Sequence, residues 1–150
     1  MVRPQMEYVS PIWDLHQKGH ISKLEKVQHR GARYVLGKPH NPHSRDSVSD
    51  MISGLGWESL ETRRKKSSLI FLYKITHSHV SIPKEYHPDP VHKRTRTVNP
   101  YPFRTFQPNI DAFKYSFFPR TVNVWNNTPI TASSLVSVDA FKHHIQGLPM

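Results

Sequence analysis

The chain has 150 residues, with 21 Lys and Arg against 11 Asp and Glu, a net charge of +10, and eleven histidines besides. Hydrophobic residues make up 36%, below the roughly 45–50% apolar share of ordinary soluble domains, so the expectation is one thin core or two small lobes. The absence of cysteine excludes a disulfide framework, a thiolate metal site and a catalytic thiol, and the charge balance favours a polyanion, nucleic acid or an anionic membrane, over an acidic protein.

The first twenty residues carry Glu7, Asp14 and two prolines, and no window approaches ~18 consecutive apolar residues. Neither a secretory signal nor a membrane span is expected, and the chain is read as intracellular, in nucleus or cytoplasm, and not secreted. Residues 18–38 place Ile21, Leu24, Val27, Gly31, Tyr34 and Val35 at steps of three and four, one side of a helix. Gly19 supplies the break before it, and Gly37 with Pro39 the stop.

A short amphipathic helix follows at Val48, Met51, Ile52 and Leu55, with Ser47 as N-cap and the turn Gly54-Leu55-Gly56-Trp57 at its end. Residues 58–77 read as a second long helix, charged all round at first and then almost wholly apolar through Leu69, Ile70, Phe71, Leu72 and Ile75. Its C-terminal half is expected to be the most buried element. Six prolines among residues 81–108 read as an extended linker. Beyond it, Phe118, Val122 and Trp125, and then Val138, Phe141, Ile145 and Leu148 after Ser137, keep helical spacing. No alternating run is long enough for a strand, and the predicted fold class is all-α, a small irregular helical domain with a short C-terminal helical lobe.

At 100° per residue, Lys23, Lys26, Arg30 and Arg33 fall within roughly an 80° arc beside the apolar side, with no acid among them. Such a row can follow a phosphate backbone, each neutralised phosphate releasing a counterion. It equally fits a solvated helix face. The run Arg63-Arg64-Lys65-Lys66 splays around its helix and suits a phosphate contact, a localisation signal or plain solubility; Arg63 and Arg64 are carried as candidates. Lys93, Arg94 and Arg96 are candidates in the proline-rich stretch, with Tyr101, Phe103 and Phe106 downstream for base stacking, against the alternative of an ordinary soluble linker.

The histidine pairs His40 and His43, His77 and His79, and His143 and His144 lack supporting ligands at metal spacing, so surface imidazoles are expected and no metal or cofactor is assigned. Asp46 and Asp50 come closest to a same-face carboxylate pair, and solvation is the simpler reading. No phosphate loop, nucleophile elbow or HExxH helix occurs, and neither a catalytic residue nor a small-molecule substrate is expected. Trp13, Trp57 and Trp125 read as core anchors whose indole N–H finds a carbonyl. Tyr115, Phe117 and Phe118 read as core too, or as an exposed docking patch.

Four blocks in order, VRPQMEYVSPIWD at 2–14, KLEKVQHRGARYVLG at 23–37, LGWESLETRRKKSSLIFLYKITH at 55–77 and KYSFFPRTVNVWNNTP at 114–129 with the closing SSLVSVDAFKHHI, span nearly the whole chain. Together they resemble the C-terminal region, after the polymerase domain, of reverse transcriptases from non-LTR retrotransposons of the jockey type. The resemblance implies a parent enzyme that copies RNA into DNA at a nicked target, with an upstream endonuclease and a polymerase whose aspartates hold two magnesium ions. This chain contains no Tyr-x-Asp-Asp motif. It departs from the family at Gly31, where alanine is usual, and at Thr128, where an apolar residue is usual, which fits a relaxed copy.

On this reading residues 1–80 form a thumb-like helical region, 81–112 a basic proline-rich linker and 113–150 a helical lobe. The expected function is that of a C-terminal piece of an RNA-directed DNA polymerase, inactive alone, that binds RNA or DNA backbone electrostatically and contacts the parent polymerase domain. The alternatives are a protein interaction module derived from the element and a remnant with no selected function.

Overall fold

A computed structural model describes residues 9–14, 16–38, 48–91 and 99–149. The fold is all-α: among these residues the helices are α1 Ser10–Trp13, α2 Lys18–Val35, α3 Val48–Gly54, α4 Leu60–Thr76, α5 Asp111–Lys114, α6 Phe117–Asn126 and α7 Val138–Gly147. Two 3₁₀ turns, Lys84–Tyr86 and Ala132–Leu135, interrupt the connections. The nearest approach to sheet is one isolated antiparallel bridge, Pro90 to Phe103. By its internal contacts the chain divides into two compact units, Met1–Arg64 and Lys65–Met150, the boundary falling within α4.

In the first unit, α2 begins at Lys18, so Gly19 lies inside the helix rather than breaking the chain before it. Its end follows the sequence: Gly37 takes φ +64°, and the Gly37 and Lys38 N–H groups close onto the carbonyls of Tyr34 and Arg33. Gly56, at φ +62°, ends α3 in the same way, with the Trp57 N–H on the Ile52 carbonyl. Both turns need the left-handed conformation that glycine adopts without a Cβ clash. The expected cap at Ser47 lies outside the described residues. At the start of α4, Ser59 Oγ accepts the Thr62 N–H at 3.1 Å, satisfying one of the unpaired donors of that first turn.

The buried side of α2 differs from the predicted stripe. Gln28 and Ala32 are its buried residues, whereas Val27 and Val35 are exposed and Tyr34 is 89% exposed. The reason is polar. Glu25 reaches the N-terminus of α4, accepting the Glu61 N–H at 2.9 Å and the Leu60 N–H at 3.3 Å, while Gln28 Nε2 donates to the Glu58 carbonyl at 2.8 Å. A carboxylate at a helix N-terminus meets both unpaired N–H groups and the positive end of the helix dipole. These contacts select the Glu25–Gln28–Ala32 line as the inward one, and Val27 and Tyr34, on the outer flank of the apolar arc, stay in solvent; Val35 is the last residue of α2.

In the second unit, Leu69, Leu72, Tyr73, Val122, Trp125, Ile130, Phe141 and Ile145 form the core, with Phe103, Phe117 and Phe118 packed against it. The apolar half of α4 is buried as its sequence predicts. Tyr73 stacks on Phe141 at 4.5 Å between ring centroids, and Phe141 on Trp125 at 5.5 Å. Ser137 caps α7 by accepting the Ala140 N–H at 3.1 Å. Trp125 fills the anchoring role, 1% exposed with Nε1 donating to the Tyr101 carbonyl at 2.8 Å. Trp57 is half-buried and Trp13 is 37% exposed.

The proline-rich stretch holds more packing than its composition predicts. Asn99 is buried, its amide donating to the Trp125 carbonyl at 2.7 Å and its Oδ1 accepting the Tyr101 N–H at 2.8 Å. Asn126 then holds Phe103 from both sides, accepting its N–H at 2.9 Å and donating to its carbonyl at 2.8 Å. A proline-rich strand has few backbone donors of its own, and these side-chain amides replace the partners that a sheet would supply. Thr128 is also accommodated, since its hydroxyl donates to the Val124 carbonyl at 2.7 Å near the end of α6.

Candidate nucleic-acid interface

Eighteen residues of α2 rise about 1.5 Å each, so Lys23 to Arg33 spans about 15 Å along one side of the helix. Lys23, Lys26 and Arg30 are exposed and Arg33 is half-buried. Among the described residues none of the four meets a carboxylate at ion-pair distance. Glu25, the only acid of α2, lies across the helix and is engaged by α4. Among the described residues the row is therefore a strip of cations without carboxylate partners, and Tyr34 stands at its C-terminal end, one turn beyond Arg30.

The other predicted cations are placed differently. Arg64 is 1% exposed, and its Nε donates to Asp14 Oδ1 at 2.7 Å. That burial removes it from the candidate phosphate contacts. Arg63 is half-buried. Lys66, in the same charged run, is buried with Nζ donating to the Gln146 carbonyl at 2.9 Å. The charged beginning of α4 is thus not a uniformly solvated face. Lys93, Arg94 and Arg96 lie outside the described residues, as do His40, His43 and Asp46. Phe103 and Phe106, proposed for base stacking, are half-buried against the second core rather than displayed.

His77 and His144 serve local contacts. His77 stacks on Tyr73 at 4.0 Å with its Nδ1 3.0 Å from the Tyr73 carbonyl, and His144 Nε2 lies 2.7 Å from the Pro129 carbonyl. Among the described residues no three His, Asp or Glu side chains are grouped to hold a metal ion. No described helix is long and apolar enough to cross a membrane.

The second unit carries two open clefts, one of about 590 Å³ bordered by Lys65, Asn123, Thr128 and Leu148, the other of about 560 Å³ bordered by Tyr86, His87, Arg104, Phe106 and Phe113. The second cleft is also bordered by Glu85, Asp89 and Ser116. Tyr73 has its pKa raised by burial, but its hydroxyl donates to the Leu135 carbonyl at 2.9 Å inside the core and faces neither cleft.

The functional candidate that the sequence reading missed is Tyr34. Its helical spacing assigns it to the covered side, and only the polar registration of α2 through Glu25 and Gln28 reveals its exposure. No protein-family model, curated protein or solved structure matches the chain.

Proposed function

We propose that the chain is a non-sequence-specific nucleic-acid-binding piece of a retroelement reverse transcriptase, taken from the region after the polymerase domain and without polymerase chemistry of its own. The resemblance of the four sequence blocks supplies the family, and the α2 row supplies the mechanism. The observation that carries the binding reading is the row of Lys23, Lys26 and Arg30, exposed and without carboxylate partners among the described residues. Each cation placed on a phosphate displaces a condensed counterion, so binding is tight at low salt and falls steeply as salt rises. Contacts of this kind position a backbone without reading bases.

The test is the slope of log affinity against log salt for the full chain, for Lys26→Gln/Arg30→Gln, and for a control of equal charge. Lys66 is unsuitable for that control because its ammonium holds the Gln146 carbonyl. Lys84→Gln/Lys114→Gln removes two exposed cations of the second unit instead. Loss of two phosphate contacts flattens the slope by roughly 1.4 on single strands and 1.8 on duplex. The control leaves the slope near that of the parent. Equal flattening by both variants assigns binding to bulk charge and removes the α2 row as a site.

A further inference from the structure

Tyr34 is the most exposed of the large apolar side chains among the described residues, at 89%. It sits in a particular setting. On the helical wheel it lies about 20–40° from Lys23 and Arg30 and about 180° from Glu25, so cations border it and the one acid of α2 is on the far side. Gly31, three residues earlier, presents no side chain, and nothing stands within 4 Å of where its Cβ would be. The ring itself is flanked by exposed Val27 on one side and the cation row on the other.

A duplex offers this face its phosphates alone, because the flat surfaces of its bases are covered by their neighbours. A single strand offers phosphates and uncovered bases at once, and an aromatic ring gains from any base because each has a π-face. An acidic peptide can meet the cations but has little to gain from a planar ring beside them. Resting on the backbone-binding reading above, we infer that the α2 face binds single-stranded RNA or DNA in preference to duplex, with Lys23, Lys26 and Arg30 on phosphates and Tyr34 stacked on one base.

The test is anisotropy titration of the full chain with a short labelled oligouridylate, an oligothymidylate of that length and a duplex of that length, using Tyr34→Ala and Tyr34→Phe. Tyr34→Ala should weaken single-strand binding by roughly five-fold or more while leaving duplex binding and the salt slope unchanged, and Tyr34→Phe should retain the parent affinity. A loss on only one kind of strand supports the inference and names the preferred strand. Equal loss on single strand and duplex, or no loss on either, overturns the stacking role. Lys26→Gln/Arg30→Gln measured alongside keeps the two readings apart, since it weakens binding to both forms if the phosphate row stands and to neither if it does not. An oligoglutamate that displaces the single strands equally well at matched charge overturns the choice of nucleic acid over acidic peptide. The substitutions are at an exposed side chain near the end of α2, and unchanged helical circular dichroism verifies that the fold is intact.

Discussion

In Lys65–Met150 the interior is a stack of rings, Tyr73 on Phe141 on Trp125, surrounded by Leu69, Leu72, Val122 and Ile145. In Met1–Arg64 many of the contacts that fix the helices are polar: Asp14 on Arg64, Glu25 on the first N–H groups of α4, Gln28 on the Glu58 carbonyl. An apolar core draws in every hydrophobic side chain it can reach, because the driving force is area removed from water. Directed polar contacts instead hold a helix in one rotation and leave the rest of its circumference in solvent. That is how α2 comes to display cations and an aromatic ring together, while Tyr73, Trp125 and Phe141 of the second unit are committed to packing.

The largest effect should come from the ring stack. Trp125→Ala removes contacts with Phe103 and Phe141 and the bond to the Tyr101 carbonyl, and should destabilise the chain by about 3–5 kcal/mol, read from the shift in urea midpoint. In the first unit the largest single change should be Asp14→Ala. It strands the buried Arg64 guanidinium, whose Nη1 and Nη2 already lack partners among the described residues, at a cost of about 3 kcal/mol. The paired Asp14→Leu/Arg64→Met change should recover most of that loss. If it does not, the interior of the first unit depends on the ion pair for more than charge compensation.

A smaller effect separates the units by pH. Burial raises the Tyr73 pKa above 10.0, so the folded state holds the phenolic proton more tightly than the unfolded chain. Its contribution is complete below pH 10.0 and is lost as pH rises through the folded-state value. Alkaline titration of ring stacking by near-ultraviolet circular dichroism should show this loss, and Tyr73→Phe should remove that component of the pH dependence while costing about 1 kcal/mol for the bond to Leu135. The smallest change is a gain. Gly31→Ala meets nothing within 4 Å and should stabilise α2 by about 0.5–1 kcal/mol, visible as a higher urea midpoint.

The helices were legible wherever local signals agree. Ser137 before a periodic run marks α7, Gly37 and Gly56 mark two ends, and the apolar half of α4 announces its burial. What sequence could not supply was the identity of distant partners. Arg64 reads as one of four adjacent cations until Asp14, fifty residues earlier, is placed on it. Asn99 reads as a linker residue until its amide reaches the Trp125 carbonyl, 26 residues on. Periodicity located the apolar arc of α2 but not the part of it that would be covered, since that depends on where Glu25 and Gln28 find their backbone partners. The same registration decides the candidate site: Lys23, Lys26 and Arg30 were found from spacing, and Tyr34 only from burial.

The most direct measurement of where binding resides is lysine footprinting of the full chain, with amine modification read residue by residue in the presence and absence of a short single-stranded oligonucleotide. Lys23 and Lys26 are exposed in the first unit, and Lys84 and Lys114 are exposed in the second, so all four are open to the reagent. Protection of Lys23 and Lys26, with Lys84 and Lys114 reacting as before, is the expected result. Protection spread evenly over the four lysines, or confined to Lys84 and Lys114, would contradict a site on α2.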